Sequence, residues 1–246
     1  MKRFNWQLLL GLFLVTLSTL FYLVHYFIFR DAHHIFIYLI GDIAFVPIEV
    51  LLVTLIIHRL LSEREKRSMM KKLNMVIGAF FSEVGIKLLK CFSDFDYNFD
   101  KVRENLIVTN NWSEQKFSST GKSLKNYDYK IDSLKGDLED LRSFLMGKRD
   151  FLLRLLENPN LLEHESFTEL LWAVSHLTEE LAARIDVKRL SDADYAHLSG
   201  DIKRAYILLV VQWLSYMKHL KNDYPYLFSL AIRTNPFDPN ASPEIK

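Results

Sequence analysis

Residues 35–57 read IFIYLIGDIAFVPIEVLLVTLII, an apolar run of 23 residues whose only charged members are Asp42 and Glu49. At about 1.5 Å per residue, a helix of this length crosses a hydrocarbon core of about 30 Å. The two acids stand seven residues apart, two helical turns, so they point to the same side. A carboxylate facing lipid costs several kcal/mol, so such a stripe is expected to face a bundle interior or a wet cavity. Pro47 lies between the acids and removes a backbone hydrogen bond, which predicts a kink or a polar pocket there.

Toward the N-terminus, Lys2 and Arg3 precede a second apolar run from Trp6 to Phe29. It exceeds the apolar core of a signal peptide and ends in aromatics rather than small residues, so it reads as a retained first span. Trp6 and Tyr26 fall where interfacial aromatics belong. The segment RDAHH, Arg30–His34, is the only link and must be a tight hairpin on the outer side. Arg59, Arg64, Lys66, Arg67, Lys71 and Lys72 follow the second span, whereas the link offers Arg30 beside Asp31. The positive-inside rule then places both termini and the large domain in the cytoplasm. By depth, Glu49 is level with Thr16, Ser18 and Thr19, and Asp42 is level with His25, which suggests an Asp42–His25 pair. His33 and His34 stand at the outer mouth, positioned to sense pH or meet a cation.

Half of the 246 residues are hydrophobic and the net charge is +1, so nothing global argues for nucleic-acid binding. With 8 glycines and 6 prolines, the latter crowded toward the C-terminus, long uninterrupted stretches favour an all-α fold. A lone cysteine, Cys91, excludes an internal disulfide and any multi-cysteine metal site. The expected architecture is a two-helix transmembrane hairpin, residues 1–62, followed by a cytoplasmic helical bundle.

Residues 63–123 read as a juxtamembrane helix and a polar connector. Leu73, Val76, Ile77, Phe80, Phe81, Val84 and Leu88 share one face of that helix. Gly78, Ser82 and Gly85 line another face at spacings that let two helices approach closely. They serve a neighbour in the bundle, a self-association seam, or a helix lying on headgroups. SSTGKS, Ser118–Ser123, lacks the leading glycine of a phosphate loop, since Lys116 occupies that position.

From Leu124 to Leu155 apolar residues recur by three and four, which predicts one long helix over residues 124–155, in a bundle or in a coiled coil between subunits. Asn158-Pro159 stops it. Ser166 and Glu169 form a capping box that predicts a helix to about Arg189, with Ile185 on its core face. Ser191 caps a further helix to about Leu220, with Leu198, Ile202, Ala205, Leu209 and Trp213 buried. The bundle closes at about residue 239, with Phe228 and Phe237 packed on it, and residues 240–246 trail free.

ENPNLLEHESFTELLWAV, residues 157–174, and DYPYLFSLAIRTNPFDP, residues 223–239, resemble segments of uncharacterised prokaryotic proteins with the same two-span layout and a cytoplasmic helical domain. The resemblance implies a prokaryotic inner membrane and carries no catalytic assignment.

Among eight histidines, His176 with Glu179 and Asp194 with His197 sit three apart, a spacing that can hold metals inside bundles. The further glutamates of a di-iron site are missing, so these read as exposed or satisfied histidines, and no metal or cofactor is assigned. No nucleophile elbow, zincin motif, dinucleotide fingerprint or kinase signature is present, which weighs against an enzyme. Two spans cannot enclose a path alone. The expectation is therefore a homo-oligomeric, channel-like protein in the lipid bilayer, its acidic rings favouring cations. The alternative is a membrane-anchored scaffold or signalling module with a cytoplasmic protein partner.

Overall fold

The computed structural model describes residues 2–161 and 164–244, which are all-helical apart from links and turns, with no strand among the described residues. The chain forms two compact units, Met1–Lys66 and Arg67–Lys246.

The first unit holds α1 (Lys2–Phe29) and most of α2 (Ala32–Phe80). Arg30 adopts a left-handed φ of 49°, and its N–H donates to the Tyr26 carbonyl at 2.8 Å, closing α1. Asp31 then accepts from the N–H groups of His33 (2.9 Å) and His34 (3.3 Å), capping α2. This cap starts the helix early, so His33 and His34 belong to the first turn of α2 rather than to the link. Pro47 lies inside α2 without ending it. Two helical segments, Leu8–Phe29 and one in the helix that begins at Ala32, are long and apolar enough to cross a membrane. Nearly all their side chains are exposed; Leu17, His25, Ile35 and Leu39 are half-buried.

In the second unit, Leu73, Ile77 and Phe80 near the end of α2 are buried. A wide π-turn at Phe81–Gly85 shifts the register there and brings Phe81 and Val84 into the same core. Gly85 is demanded at that turn, because a Cβ would lie 2.5 Å from the Phe81 ring. The chain continues as α3 (Ile86–Asp94), α4 (Phe99–Glu104), α5 (Glu114–Lys125), α6 (Leu138–Leu156), a short 3-10 turn, α7 (Glu165–Ala183), α8 (Asp192–Asp223) and α9 (Pro225–Arg233). Helix α8 is the central element and packs against α3, α5, α7 and α9. Its N-cap is Ser191, whose Oγ accepts from the Asp194 N–H at 3.2 Å. Leu198, Ile202, Ala205, Leu209 and Trp213 are buried, as their spacing predicts. The connector contributes to the same core through Val102, Leu106, Val108 and Phe117. The tail packs on it through Phe228 and Phe237, and the Asn235 amide donates to the Leu106 carbonyl at 2.8 Å. Ile245 and Lys246, the end of the segment expected to trail free, lie outside the described residues.

The single helix expected over residues 124–155 does not form. Helix α5 ends at Lys125, residues 126–137 are a loop, and α6 begins at Leu138. The loop pairs with residues 95–97: Tyr97 N–H donates to the Lys130 carbonyl and Asp132 N–H to the Phe95 carbonyl, each at 3.0 Å. Asp137 caps α6 by accepting from the N–H groups of Glu139 (2.9 Å) and Asp140 (3.0 Å). Capping and the pairing with residues 95–97 outweigh the leucine spacing. Leu134 of the expected seam is 64% exposed. Leu124, Leu141, Leu145 and Leu152 are buried in their own domain, so this repeat is not a coiled coil between subunits.

Helix α7 also differs from expectation at both ends. Its N-cap is His164, not Ser166: the imidazole Nδ1 accepts from the Phe167 N–H at 3.2 Å. It stops at Ala183 because Arg184 turns to extended backbone. The Arg184 guanidinium donates to the Glu180 carbonyl (2.6 Å), the Glu180 carboxylate (2.7 Å) and Asp194 (3.0 Å). Ile185, expected in the core, is therefore 97% exposed, and Val187 is buried instead.

The His164 cap makes α7 sensitive to pH. Burial holds this imidazole below its ordinary value of 6.5. The unfolded chain then takes up the proton before the folded chain does. The cap is intact above pH 6.5 and weakens as pH falls from there toward the lower folded value. Replacing His164 with Asn keeps an acceptor without a titration. Wild type is expected to lose about 1 kcal/mol relative to His164→Asn on acidification. Parallel thermal unfolding of the two proteins from neutral to mildly acid pH measures it.

Candidate functional site

Two places among the described residues gather the polar side chains that the sequence singles out. The first is the apolar unit. Asp42 and Glu49 are both exposed on α2. A seven-residue separation leaves only about 20° between them on a straight helix, so they share one flank. Neither has a hydrogen bond or ion pair to a described residue. The expected Asp42–His25 pair is absent. The His25 ring instead lies 4.7 Å from the Phe29 ring and 6.2 Å from that of His34, and its shielded Nε2 has no hydrogen-bond partner. His33 stays exposed. Thr16 and Thr19 donate to the Leu12 and Val15 carbonyls of their own helix, at 2.8 and 2.9 Å. Among the described residues, Asp42 and Glu49 therefore have no partner in their own unit, whereas Glu63 pairs with Arg59 at 3.6 Å.

The small residues of the juxtamembrane stretch lie in the second unit, and Gly78 and Gly85 have neighbours in their own chain. A Cβ at Gly78 would lie 3.3 Å from the Tyr216 hydroxyl of α8, and Gly85 is closed off by Phe81. Ser82 is exposed.

The second place is a histidine–carboxylate cluster on α7 and α8, which pack side by side. Their antiparallel register sets residues 176 and 180 against residues 201 and 197. The Nε2 of His197 is 3.3 Å from Asp201 Oδ2, and that of His176 is 3.5 Å from the same oxygen. Glu180 stands alongside, its carboxylate oxygens 3.8 Å from His176 Nε2 and 3.6 Å from His197 Nε2. The Asp201 side chain is 4% exposed, while His176 and His197 are 46% and 53% exposed, so the cluster has a buried floor and an open top. Arg204 reaches the other Asp201 oxygen at 3.4 Å. Arg184 bonds to Glu180 and holds its carboxyl below the usual range, and it does the same to Asp194 with help from Ser191.

Spacing alone had singled out His176 with Glu179 and Asp194 with His197. Glu179 belongs to Arg149, whose guanidinium contacts it at 2.9 and 3.1 Å, and Asp194 belongs to Arg184. The carboxylates that do converge on the imidazoles are Glu180, one residue beyond Glu179 on α7, and Asp201, four residues after His197 on α8. Their i, i+4 spacing was the available signal, since residues four apart face each other on a helix.

The chain matches the family model described as "MJ1433, N-terminal helical domain" over residues 2–61. It matches "Uncharacterized protein MJ1433, C-terminal helical domain" over residues 69–233. It is 48% identical over 234 residues to Uncharacterized protein MJ1433 of Methanocaldococcus jannaschii, covering 95% of this chain and 94% of that protein. No solved structure matches it. The chain belongs to the MJ1433 family of proteins, in which an N-terminal helical domain precedes a C-terminal one.

Proposed function

We propose that the first unit spans the inner membrane twice, with both termini cytoplasmic, and that several copies assemble into a channel-like path lined by Asp42 and Glu49. The observation that carries this reading is the exposure of both carboxylates, without a partner among the described residues, on one flank of an apolar helix. An acid at the centre of a lone spanning helix costs about 3 kcal/mol. Copies arranged around a common axis turn both acids away from lipid and toward water, and acidic rings favour cations. Full-length protein reconstituted in vesicles is expected to pass cations in preference to anions. Asp42→Asn combined with Glu49→Gln is expected to remove most of that flux without changing the assembled mass. Unchanged flux in the double variant, or a monomeric mass in nanodiscs, overturns the reading.

A second reading rests on a different observation. The core from Leu73 to Phe237 lies in a unit of its own. The hairpin is then only a tether, and the helical domain acts as a scaffold or signalling module that binds a cytoplasmic protein. Exchanging residues 2–61 for a foreign two-span anchor separates the two readings: flux is lost in the first, and partner binding survives in the second.

A further inference from the structure

We propose that His176, His197 and Asp201 form a binding site for a first-row divalent transition metal, zinc above all, that ties α7 to α8. Their three donor atoms lie within 4.8 Å of one another. A tetrahedral zinc ion with bonds of about 2.0–2.1 Å has ligand-to-ligand edges of about 3.3–3.4 Å. The two imidazole nitrogens stand 3.3 and 3.5 Å from Asp201 Oδ2. These two edges match those of ligands sharing an ion, and the third lies within 4.8 Å.

Hydrogen bonding does not account for the arrangement. Asp201 Oδ2 is buried and receives no hydrogen bond, although two ring nitrogens stand beside it. Burying an anionic oxygen without a donor is costly, and a cation placed between the three atoms removes that cost. The donor set selects the ion. Two imidazoles and one carboxylate suit zinc and its first-row neighbours, whereas calcium and magnesium prefer oxygen alone.

The surroundings fit as well. Arg204 contacts Asp201 Oδ1, which leaves Oδ2 turned toward the imidazoles, and outer contacts of this kind orient metal ligands. Glu180 supplies a further oxygen next to both histidines, although Arg184 already binds it. Both imidazoles are half-exposed, so an ion can enter and leave, and the outward position is open to water. One ligand comes from α7 and two from α8, so the bound ion cross-links the helices on either side of the 184–191 turn.

The test uses the full-length protein in detergent, stripped with a chelator and titrated with zinc chloride. One zinc per chain is expected. Asp201→Asn and His197→Ala are each expected to weaken binding at least about tenfold. Glu179→Gln, whose residue pairs with Arg149 outside the cluster, is expected to bind as wild type does. Zinc is expected to raise the unfolding temperature of wild type and not that of Asp201→Asn. Where His197→Ala loses helicity, the near-isosteric Asp201→Asn decides. No zinc bound to wild type, or equal binding by wild type and Asp201→Asn, overturns the proposal. In the second outcome the ion sits elsewhere, and the four side chains are an ordinary ion-pair cluster.

Discussion

Trp213→Ala is expected to destabilise the helical domain by about 3–5 kcal/mol, the range for emptying a large aromatic from a packed core. Trp213 is 1% exposed, and its ring centroid lies 5.1 Å from that of Phe237, so it joins the central helix to the C-terminal tail. Domains are stable by only about 5–15 kcal/mol, so the variant stands near the limit of folding. Denaturant unfolding of the full chain in mild detergent, followed by far-UV circular dichroism, measures the loss. Phe237→Ala alone is expected to cost less, because its ring is smaller. The two together are expected to cost less than the sum, because each already opens the same contact. Additive costs, or a loss below about 1 kcal/mol for Trp213→Ala, would show that the tail is not held by this pair.

Gly136→Ala tests why the leucine repeat breaks. A Cβ at position 136 would lie 2.6 Å from two carbons of the Phe95 ring, and that ring is 1% exposed. The glycine has no positive φ, so alanine brings no backbone strain. On that basis alone, alanine would stabilise the protein by about 0.4–1 kcal/mol, through a less flexible unfolded chain. The steric term opposes this and wins, since overpacking a buried site costs about 1–3 kcal/mol. The sign of the measured change therefore decides between the two. Phe95→Leu, placed behind Gly136→Ala, is expected to recover part of the loss. Stabilisation by Gly136→Ala alone would mean that the loop does not press against Phe95.

The apolar helices could be read from their residues. A run such as 35–57 has few ways to avoid water, and its length matches one element. Helix α8 was legible for a different reason: its start signal at Ser191 and its 3.6-residue periodicity agree with each other. Residues 124–155 show where such reading fails. Apart from Leu134, which lies exposed in the loop, the heptad leucines are buried as a seam requires, yet they belong to two helices. The interruption is made by Phe95 and residues 96–97, far away in sequence, and by a cap at Asp137 that competes with the periodicity. Local spacing carries no record of what presses on a segment from elsewhere.

The histidine cluster divides in the same way. His176 and His197 were visible as helix-borne histidines with acids nearby, and composition had already excluded a cysteine site. Which acids face them depends on the register between α7 and α8, and on Arg184, which ends α7 and takes Asp194 for itself. The sequence by itself therefore determined two apolar helices, an all-helical remainder and the acidic flank of Asp42 and Glu49, because hydrophobic length and helical period are properties of contiguous residues. The break before α6, the exposure of Ile185 and the convergence of His176, His197 and Asp201 were decided only by tertiary packing, because each depends on atoms that approach from another part of the chain.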